Sequence, residues 1–324
     1  MVALLGTLGA ATGFAAPPQK GVALGLFAED PGWSYRPLLD EIAATGADHV
    51  ELVVAWYLAD GSATDVHDHP RFTAPPDAIA RAVDDAHAAG LRVLVFPIVR
   101  LEHPKSPDEW RGTLRPRDRA ALFASYGRAL VGLARLAART RAEGLSVGSE
   151  LSTLDGDRAA WAPIVAAVRA VYRGRLVYSG NWDHFRDVAI YDLVDDAGVC
   201  GYFPLAEAGR VATEEELVRA WRDLRVELER FRARVGRPLV FTEVGYLSQR
   251  GAAAWPWDEG ATKPIDLEDQ RRCYAAFRRV WSGAPPGGVY FWNWYGWGGA
   301  NSRGYTPRGK PAADEIRALF RGWK

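Results

Sequence analysis

The fold of this chain is indicated first by one stretch, Leu239-Val240-Phe241-Thr242-Glu243-Val244-Gly245-Tyr246. It begins just after Gly236-Arg237-Pro238 as an apolar, β-branched run, which is the pattern of a buried strand. A single carboxylate, Glu243, stands where the run ends, and Gly245 then allows the backbone to turn. An upstream stretch has the same form, Leu145-Ser146-Val147-Gly148-Ser149-Glu150-Leu151. The sequence therefore predicts two strands that each deliver one glutamate at the C-terminal end.

On both sides of these stretches, predicted strands alternate with predicted helices. The other strands are expected at residues 21–27, 49–57, 92–99, 176–182, 197–203 and 288–294. Helices are expected at residues 35–45, 75–89, 118–141, 161–172, 213–235, 267–281 and 311–320, with a weak one at 187–193. Parallel strands joined by helices in this number close into a (β/α)8 TIM barrel. A doubly wound open sheet would instead carry a Gly-rich turn after its first strand, where Phe27-Ala28-Glu29-Asp30 stands.

The composition limits the classes of function. Forty basic residues balance forty acidic ones among 324 residues, so neither a nucleic-acid partner nor an anionic membrane is indicated. No segment has the ~20 consecutive apolar residues of a membrane span. The 13 tryptophans are unusual and suggest ring faces in a cleft, because an indole N–H is costly to bury without a partner. Loop positions make Trp33, Trp255, Trp257 and Trp297 candidates for such a cleft.

Residues 19–324 form one predicted domain, since no linker or change of composition divides them. Residues 1–18 contain an apolar run ending in Phe14-Ala15-Ala16, similar to a signal peptide without its basic start. We therefore expect a secreted or periplasmic protein, with the cytoplasm as the alternative, and a monomer. Cys200 and Cys273 are expected to be free and buried. His67 and His69 form an H-x-H pair, for which a solvated loop is favoured over a metal site.

The C-terminal strand ends of a (β/α)8 barrel open on one face, where active sites lie. The residues predicted there are rings, amides and carboxylates, which is the chemistry that recognises sugars: Trp56, Tyr57, Arg100, His103, Glu150, Asn181, Trp182, Asp183, His184, Tyr202, Glu243, Tyr246, Trp292, Asn293 and Trp294. Glycoside cleavage needs a proton donor at the leaving oxygen and a carboxylate across the anomeric carbon. Glu150 and Glu243 are the candidates, with carboxyl groups ~5 Å apart in a retaining enzyme. Either alone could be a buried ion-pair partner, but two at strand ends favour catalysis.

Five motifs in this region resemble those of glycoside hydrolase family 113, the barrel β-1,4-mannanases of clan A, and fall in the family's order. They are Val147-Gly148-Ser149-Glu150-Leu151, Tyr178-Ser179-Gly180-Asn181-Trp182-Asp183, Gly201-Tyr202-Phe203-Pro204-Leu205, Phe241-Thr242-Glu243-Val244-Gly245-Tyr246 and Phe291-Trp292-Asn293-Trp294. The resemblance covers about residues 20–294. It implies retaining hydrolysis with no metal and no organic cofactor.

The resemblance also implies roles for single residues. Glu150 matches the acid/base and Glu243 the nucleophile, so Glu150 is expected to hold a proton near neutral pH while Glu243 is ionised. Tyr202 matches the tyrosine that donates a hydrogen bond to the nucleophile. Trp292 matches the platform under the sugar being cleaved.

Further substrate contacts are expected from Asn181 and Trp182, which match residues of the same subsite, and from Trp56, Tyr246 and His103 at their strand ends. Most clan members carry Asn where Ser149 stands. The contact to the sugar 2-hydroxyl is therefore expected from another residue, with Asn181 as the candidate.

The expected function is a retaining endo-β-1,4-mannanase acting on a polysaccharide or oligosaccharide. A β-glucanase or an exo-acting β-glycosidase could use the same residues, since mannose and glucose differ in the orientation of one hydroxyl. A non-catalytic carbohydrate-binding barrel would be favoured by loss of either glutamate, and both are present. A structural barrel domain in a larger assembly is the remaining alternative.

Overall fold

The structure, a computed structural model, describes residues 17–260 and 262–323. These residues form a closed parallel barrel in which the strands follow chain order and the last pairs with the first. The predicted (β/α)8 TIM barrel is confirmed. Its strands are β1 (Gln19–Gly25), β2 (His49–Leu58), β3 (Arg92–Leu101), β4 (Gly144–Ser149), β5 (Arg175–Gly180), β6 (Asp196–Cys200), β7 (Leu239–Val244) and β8 (Gly288–Phe291).

The helices surround this barrel and alternate with its strands. Their starts are fixed by side chains, as where Thr213 and Glu216 form the capping box at the start of α5. Within the described residues they are α1 (Arg36–Ala43), α2 (Pro76–Ala88), α3 (Arg119–Thr140), α4 (Arg158–Val171), α5 (Glu214–Val235), α6 (Leu267–Trp281) and α7 (Ala312–Gly322).

The weak helix expected at residues 187–193 is the one element that the sequence mispredicted. That segment holds only the 3-10 turn Tyr191–Leu193. Its polar groups bond to other elements: the Ala189 N–H donates to the Asp155 carbonyl, and the Tyr191 hydroxyl donates to the Gly198 carbonyl. These tertiary partners replace the ladder of hydrogen bonds that a helix would provide.

Side-chain alternation along the strands gives the barrel two apolar layers. The luminal layer includes Phe96, Val240 and Tyr290. The outer layer lies between strands and helices, where Trp221 and Trp281 are fully buried and pack edge to face. Both cysteines are free and buried, as predicted.

The signal-peptide-like segment expected at residues 1–18 falls, through residue 16, outside the described residues. Export therefore stays a prediction, as does the monomeric state. Among residues 17–260 and 262–323, no helix combines the length and the apolar character needed to cross a lipid bilayer.

Candidate active site

Glu150 follows β4 directly and reaches the barrel mouth through two backbone irregularities. Strand β4 carries one extra residue, since Ser146 and Gly148 pair with the consecutive residues Val177 and Tyr178 of β5. Such a bulge re-aims the side chains that follow it. Glu150 also has a left-handed backbone, with φ of 53°, which is uncommon for a residue that has a side chain. Together these features bring a buried carboxyl group to the C-terminal end of the lumen.

Glu243 is turned into the lumen by a second bulge. Phe241 and Glu243 of β7 pair with the consecutive residues Val199 and Cys200 of β6, so β7 also carries one extra residue. Strict alternation would have placed Glu243 on the same side as Phe241, which packs against Trp221 outside the barrel. The bulge reverses that orientation and makes the glutamate available to the lumen.

Two donors, one on β6 and one just after it, hold the Glu243 carboxylate. The Tyr202 hydroxyl donates to one oxygen at 2.8 Å, and the Cys200 thiol donates to the other at 3.5 Å. The hydrogen bond predicted for Tyr202 is thereby confirmed. It fixes the orientation of the carboxylate toward the barrel axis.

Glu150, Glu243 and Cys200 meet at one point. A carboxylate oxygen of each glutamate and the Cys200 sulfur all lie within 4.8 Å of one another. This agrees with the predicted separation of ~5 Å for a retaining pair, and not with the ~6.5–9.5 Å of inverting enzymes. These three groups could also approach a metal ion, but burial raises the pKa of the Cys200 thiol well above its usual value, and a neutral thiol is a poor metal ligand.

Arg111 is the residue of this site that sequence reasoning did not identify. It begins the 3-10 turn Arg111–Thr113 in the loop after β3, and its guanidinium forms an ion pair with the Glu150 carboxylate. Its Nε is buried without a hydrogen-bond partner in the described part of the chain. No motif surrounds Arg111, and its only sequence signal is its place in a loop on the C-terminal face of the barrel.

The pKa of Glu243 differs from the expectation that this residue is ionised near neutral pH. Burial raises the pKa of Glu243 to about 8, and the nearby charge of Glu150 adds to this, against the lowering effects of Arg111, Tyr202 and Cys200. Desolvation therefore outweighs the hydrogen bond that was expected to keep Glu243 ionised. In this arrangement Arg111 forms an ion pair with Glu150 and also lowers the pKa of Glu243.

Three predicted sugar contacts lie on the same face as the glutamates. Trp292 follows β8 and belongs to the luminal layer beside Tyr202, with 7% of its surface exposed. Asn181 follows β5 and is buried, and its amide donates to the Asp183 carboxylate at 2.8 Å. Trp182 is half-buried against the luminal layer.

Trp182 also belongs to an aromatic wall, formed with Trp255 and Trp257 of the loop after β7. Trp182 and Trp257 are stacked, with ring centroids 4.8 Å apart and planes at 19°. Trp255 and Trp257 remain 44% and 37% exposed. The Tyr305 hydroxyl donates to the Pro256 carbonyl and so ties this loop to the luminal layer. Exposed ring faces at a barrel mouth are suited to stacking on sugar rings.

Two other predicted contacts are corrected by the structure. Trp56 lies in the outer layer, where its ring packs edge to face on Tyr126 of α3 at 5.8 Å. Tyr246 is fully buried and packs on Tyr274 of α6 at 5.8 Å. Both rings face the helices and not the lumen. His103 is exposed on the loop after β3, and its contact with substrate stays a prediction.

The H-x-H pair lies in an ordered loop near the mouth. His69 Nδ1 accepts hydrogen bonds from the backbone N–H groups of Arg71 and Phe72 at 3.0 and 3.2 Å. The Nε2 of His67 lies 3.2 Å from Glu102. A histidine that accepts through Nδ1 carries its proton on Nε2, so His69 is not arranged to bind a metal in this geometry.

Comparisons with known proteins agree with this geometry. The β-mannanase of Alicyclobacillus acidocaldarius has a solved structure with a TM-score of 0.83 and 26% identity, covering 95% of this chain and 98% of that one. A second solved structure, a β-1,4-mannanase, gives a TM-score of 0.82 at 21% identity, covering 93% and 98%, and supports the fold alone. No curated protein sequence matches this chain.

The family model described as Glycoside Hydrolase Family 113 matches residues 33–302. That match spans most of the barrel, including both bulged strands and the two glutamates. The chain is a glycoside hydrolase and belongs to glycoside hydrolase family 113.

Proposed function

We propose that this protein is a retaining endo-β-1,4-mannanase. The observation that supports the mechanism best is the pair Glu150 and Glu243, whose carboxylate oxygens lie within 4.8 Å of one another in a buried site. The substrate proposal is supported by membership of family 113 and by the likeness to the mannanase from Alicyclobacillus acidocaldarius.

In the first step, Glu243 attacks the anomeric carbon while Glu150 gives its proton to the glycosidic oxygen, so the bond to the leaving sugar breaks and a glycosyl-enzyme forms. In the second step, Glu150 takes a proton from water, the water oxygen attacks the anomeric carbon, and Glu243 leaves as a carboxylate. The Tyr202 hydrogen bond and Arg111 limit the cost of the carboxylate charge in this buried site. The two displacements return the original anomeric configuration.

The substrate is tested with purified protein on mannan, glucomannan, cellulose and xylan. We expect mannan and glucomannan to release reducing ends, and the viscosity of glucomannan to fall early, since an endo-acting enzyme cuts within the chain. Glu150→Gln and Glu243→Gln keep the size of the side chains and serve as controls that should be inactive. Hydrolysis of cellulose or xylan without mannan would contradict the substrate. Release of monosaccharide alone would contradict the endo action.

A further inference from the structure

The backbone of Glu150 is held in a conformation that a glutamate adopts only under constraint. Its φ of 53° lies in the left-handed region, which is sterically unfavourable for a residue that has a Cβ. Such a conformation persists only when surrounding contacts fix it. The contacts that do so here identify residues on which the position of the acid/base depends.

Two N–H groups beside this strained residue are bonded to β5. The Glu150 N–H donates to the Ser179 carbonyl at 2.8 Å, which extends the β4–β5 pairing by one residue. The next N–H, that of Leu151, donates to the Tyr178 hydroxyl at 3.2 Å. The turn at Glu150 is thus held on one side by a backbone carbonyl and on the other by a side chain.

Tyr178 is itself oriented by Asp155. The fully buried Tyr178 hydroxyl donates to Asp155 Oδ2 at 2.9 Å. A phenol has a single hydroxyl hydrogen, so donation to Asp155 turns the oxygen lone pairs toward the Leu151 N–H. Asp155 also belongs to the same turn, since its own N–H donates to the Leu151 carbonyl at 3.0 Å.

His184 forms a hydrogen bond with the second carboxylate oxygen of Asp155. Its Nε2 lies 3.1 Å from Asp155 Oδ1, and since an ionised carboxylate only accepts, Nε2 is the donor. The His184 N–H donates to the Asn181 carbonyl at 2.9 Å. Burial raises the pKa of Asp155 to about 6, and its bonds to Tyr178 and His184 oppose that rise. The network joins the loop carrying Asn181 to the turn carrying Glu150.

We propose that Tyr178, Asp155 and His184 are positioning residues that act through the Leu151 peptide to aim the Glu150 carboxyl at the glycosidic oxygen. Among the described residues, none of the three forms a hydrogen bond with Glu243 or with the carboxyl group of Glu150. The inference rests on Glu150 being the acid/base. The competing view is that the three residues stabilise the fold and nothing more.

The test compares two tyrosine variants that each lose one buried hydroxyl. Tyr178→Phe removes the acceptor of the Leu151 N–H. The control, Tyr172→Phe, removes a buried hydroxyl that donates to the Ala142 carbonyl at 2.8 Å, before the start of β4. We expect Tyr178→Phe to lower kcat about 10- to 100-fold with little change in KM, and Tyr172→Phe to keep wild-type kcat, with similar losses of Tm. Equal kcat values in the two variants would overturn the proposal.

A second readout locates the defect at Glu150. With an aryl glycoside whose leaving group needs no proton, the first step of Tyr178→Phe should approach the wild-type rate. Azide attacks a glycosyl-enzyme without a general base, so it should restore turnover of that variant and have little effect on wild type. A loss that persists with the activated substrate and does not respond to azide would assign Tyr178 a purely structural role. The assay uses whichever aryl glycoside the wild type cleaves, so an error in the proposed polysaccharide would appear separately.

His184 provides a variant that does not disturb the core, since its side chain is 32% exposed. We expect His184→Leu to lower kcat about 3- to 10-fold at nearly unchanged KM. His184→Gln keeps an N–H donor and should retain most of the turnover. The same kcat for His184→Leu and wild type, or an equal loss in His184→Gln, would overturn the role of His184.

Discussion

At the scale of single residues, the chemistry of the site depends on one positive charge. The Arg111 guanidinium pairs with Glu150 and also lowers the pKa of Glu243. It counters the burial that otherwise drives the carboxyl pair toward its protonated forms. A buried cation beside two carboxyls therefore sets the pH range in which the pair holds one proton.

Arg111→Ala should move both limbs of the pH profile of kcat/KM to higher pH, by about one unit, because both protons of the pair are bound more tightly without the cation. The sign follows from the direction in which Arg111 acts on Glu243. The profile is measured on a soluble oligosaccharide between pH 4 and 9. Arg100→Ala is the control, since the Arg100 guanidinium lies over the Phe27 ring on the same face. Limbs that stay in place in Arg111→Ala, or that move equally in Arg100→Ala, would rule out this role.

The sequence was sufficient to identify site residues that combine a characteristic amino-acid type with a position at the end of a predicted strand. Glu150, Glu243 and Tyr202 could be predicted because carboxylates at strand ends are unusual and fall in recognisable motifs. Arg111 could not, since a loop arginine 39 residues before Glu150 has no local signal that it will turn inward. Trp56 was mistaken for a sugar contact because the sequence shows that its strand alternates, but not which of Trp56 and Tyr57 faces the lumen.

At the scale of elements, β4 and β7, the two strands that carry the glutamates, share one structural feature, a bulge. Each of β4 and β7 carries an extra residue just before its glutamate. Bulges next to active sites commonly re-aim a side chain. The hydrophobic pattern predicts where these strands lie, but a single extra residue leaves that pattern nearly unchanged. This is why the strand positions and the facing glutamates could be predicted, whereas the bulges that turn the glutamates into the lumen could not.

The strained turn at Glu150 gives a prediction about stability. Glu150→Gly should unfold at higher denaturant than Glu150→Ala, by about 1 kcal/mol in the free energy of unfolding, because glycine adopts a positive φ without the clash of a Cβ. Both variants lose the same carboxyl and leave Arg111 equally unpaired. The difference between their free energies of unfolding therefore reports the cost of the left-handed backbone at this position. Chemical unfolding of the two variants measures it. A more stable Glu150→Ala, the usual order in regular structure, would show that the turn relaxes once the carboxyl is removed.

At the scale of the whole molecule, alternation of strands and helices was sufficient to predict a closed barrel. It wrongly predicted a helix before β6, where only a 3-10 turn is present. It also did not predict that a polar side chain would be buried in the lumen. Glu51 of β2 lies in the barrel between Ala23 and Leu94 and is fully buried. Neither of its carboxyl oxygens has a hydrogen-bond partner in the described ranges. A carboxyl group within an apolar strand pattern looks like a surface position in sequence, and only barrel closure buries it.

Burial raises the pKa of Glu51 well above its usual value, and the charge of Glu243 adds to this. The unfolded chain releases this proton near pH 4.5, whereas the folded barrel keeps it to higher pH. Stability should therefore fall as the pH rises through that window, at up to about 1.4 kcal/mol per pH unit from this group.

Glu51→Gln should reduce that slope and be more stable than wild type at pH 8, with little difference at pH 4. Unfolding by guanidinium chloride across this range measures it, with the exposed Glu207→Gln as control. A wild-type slope in Glu51→Gln would show that Glu51 is ionised in the folded barrel.

In the proposed mechanism, Glu243 forms a covalent bond to the sugar and Glu150 serves the same reaction as acid and base. The most direct measurement is to trap that bond with a 2-deoxy-2-fluoro-β-mannosyl fluoride and to map the labelled peptide by mass spectrometry. We expect one sugar per chain, attached to Glu243, and no attachment in Glu243→Gln. A label on any other residue, or full turnover of substrate with no trapped sugar and an inverted anomer as the first product, would contradict it.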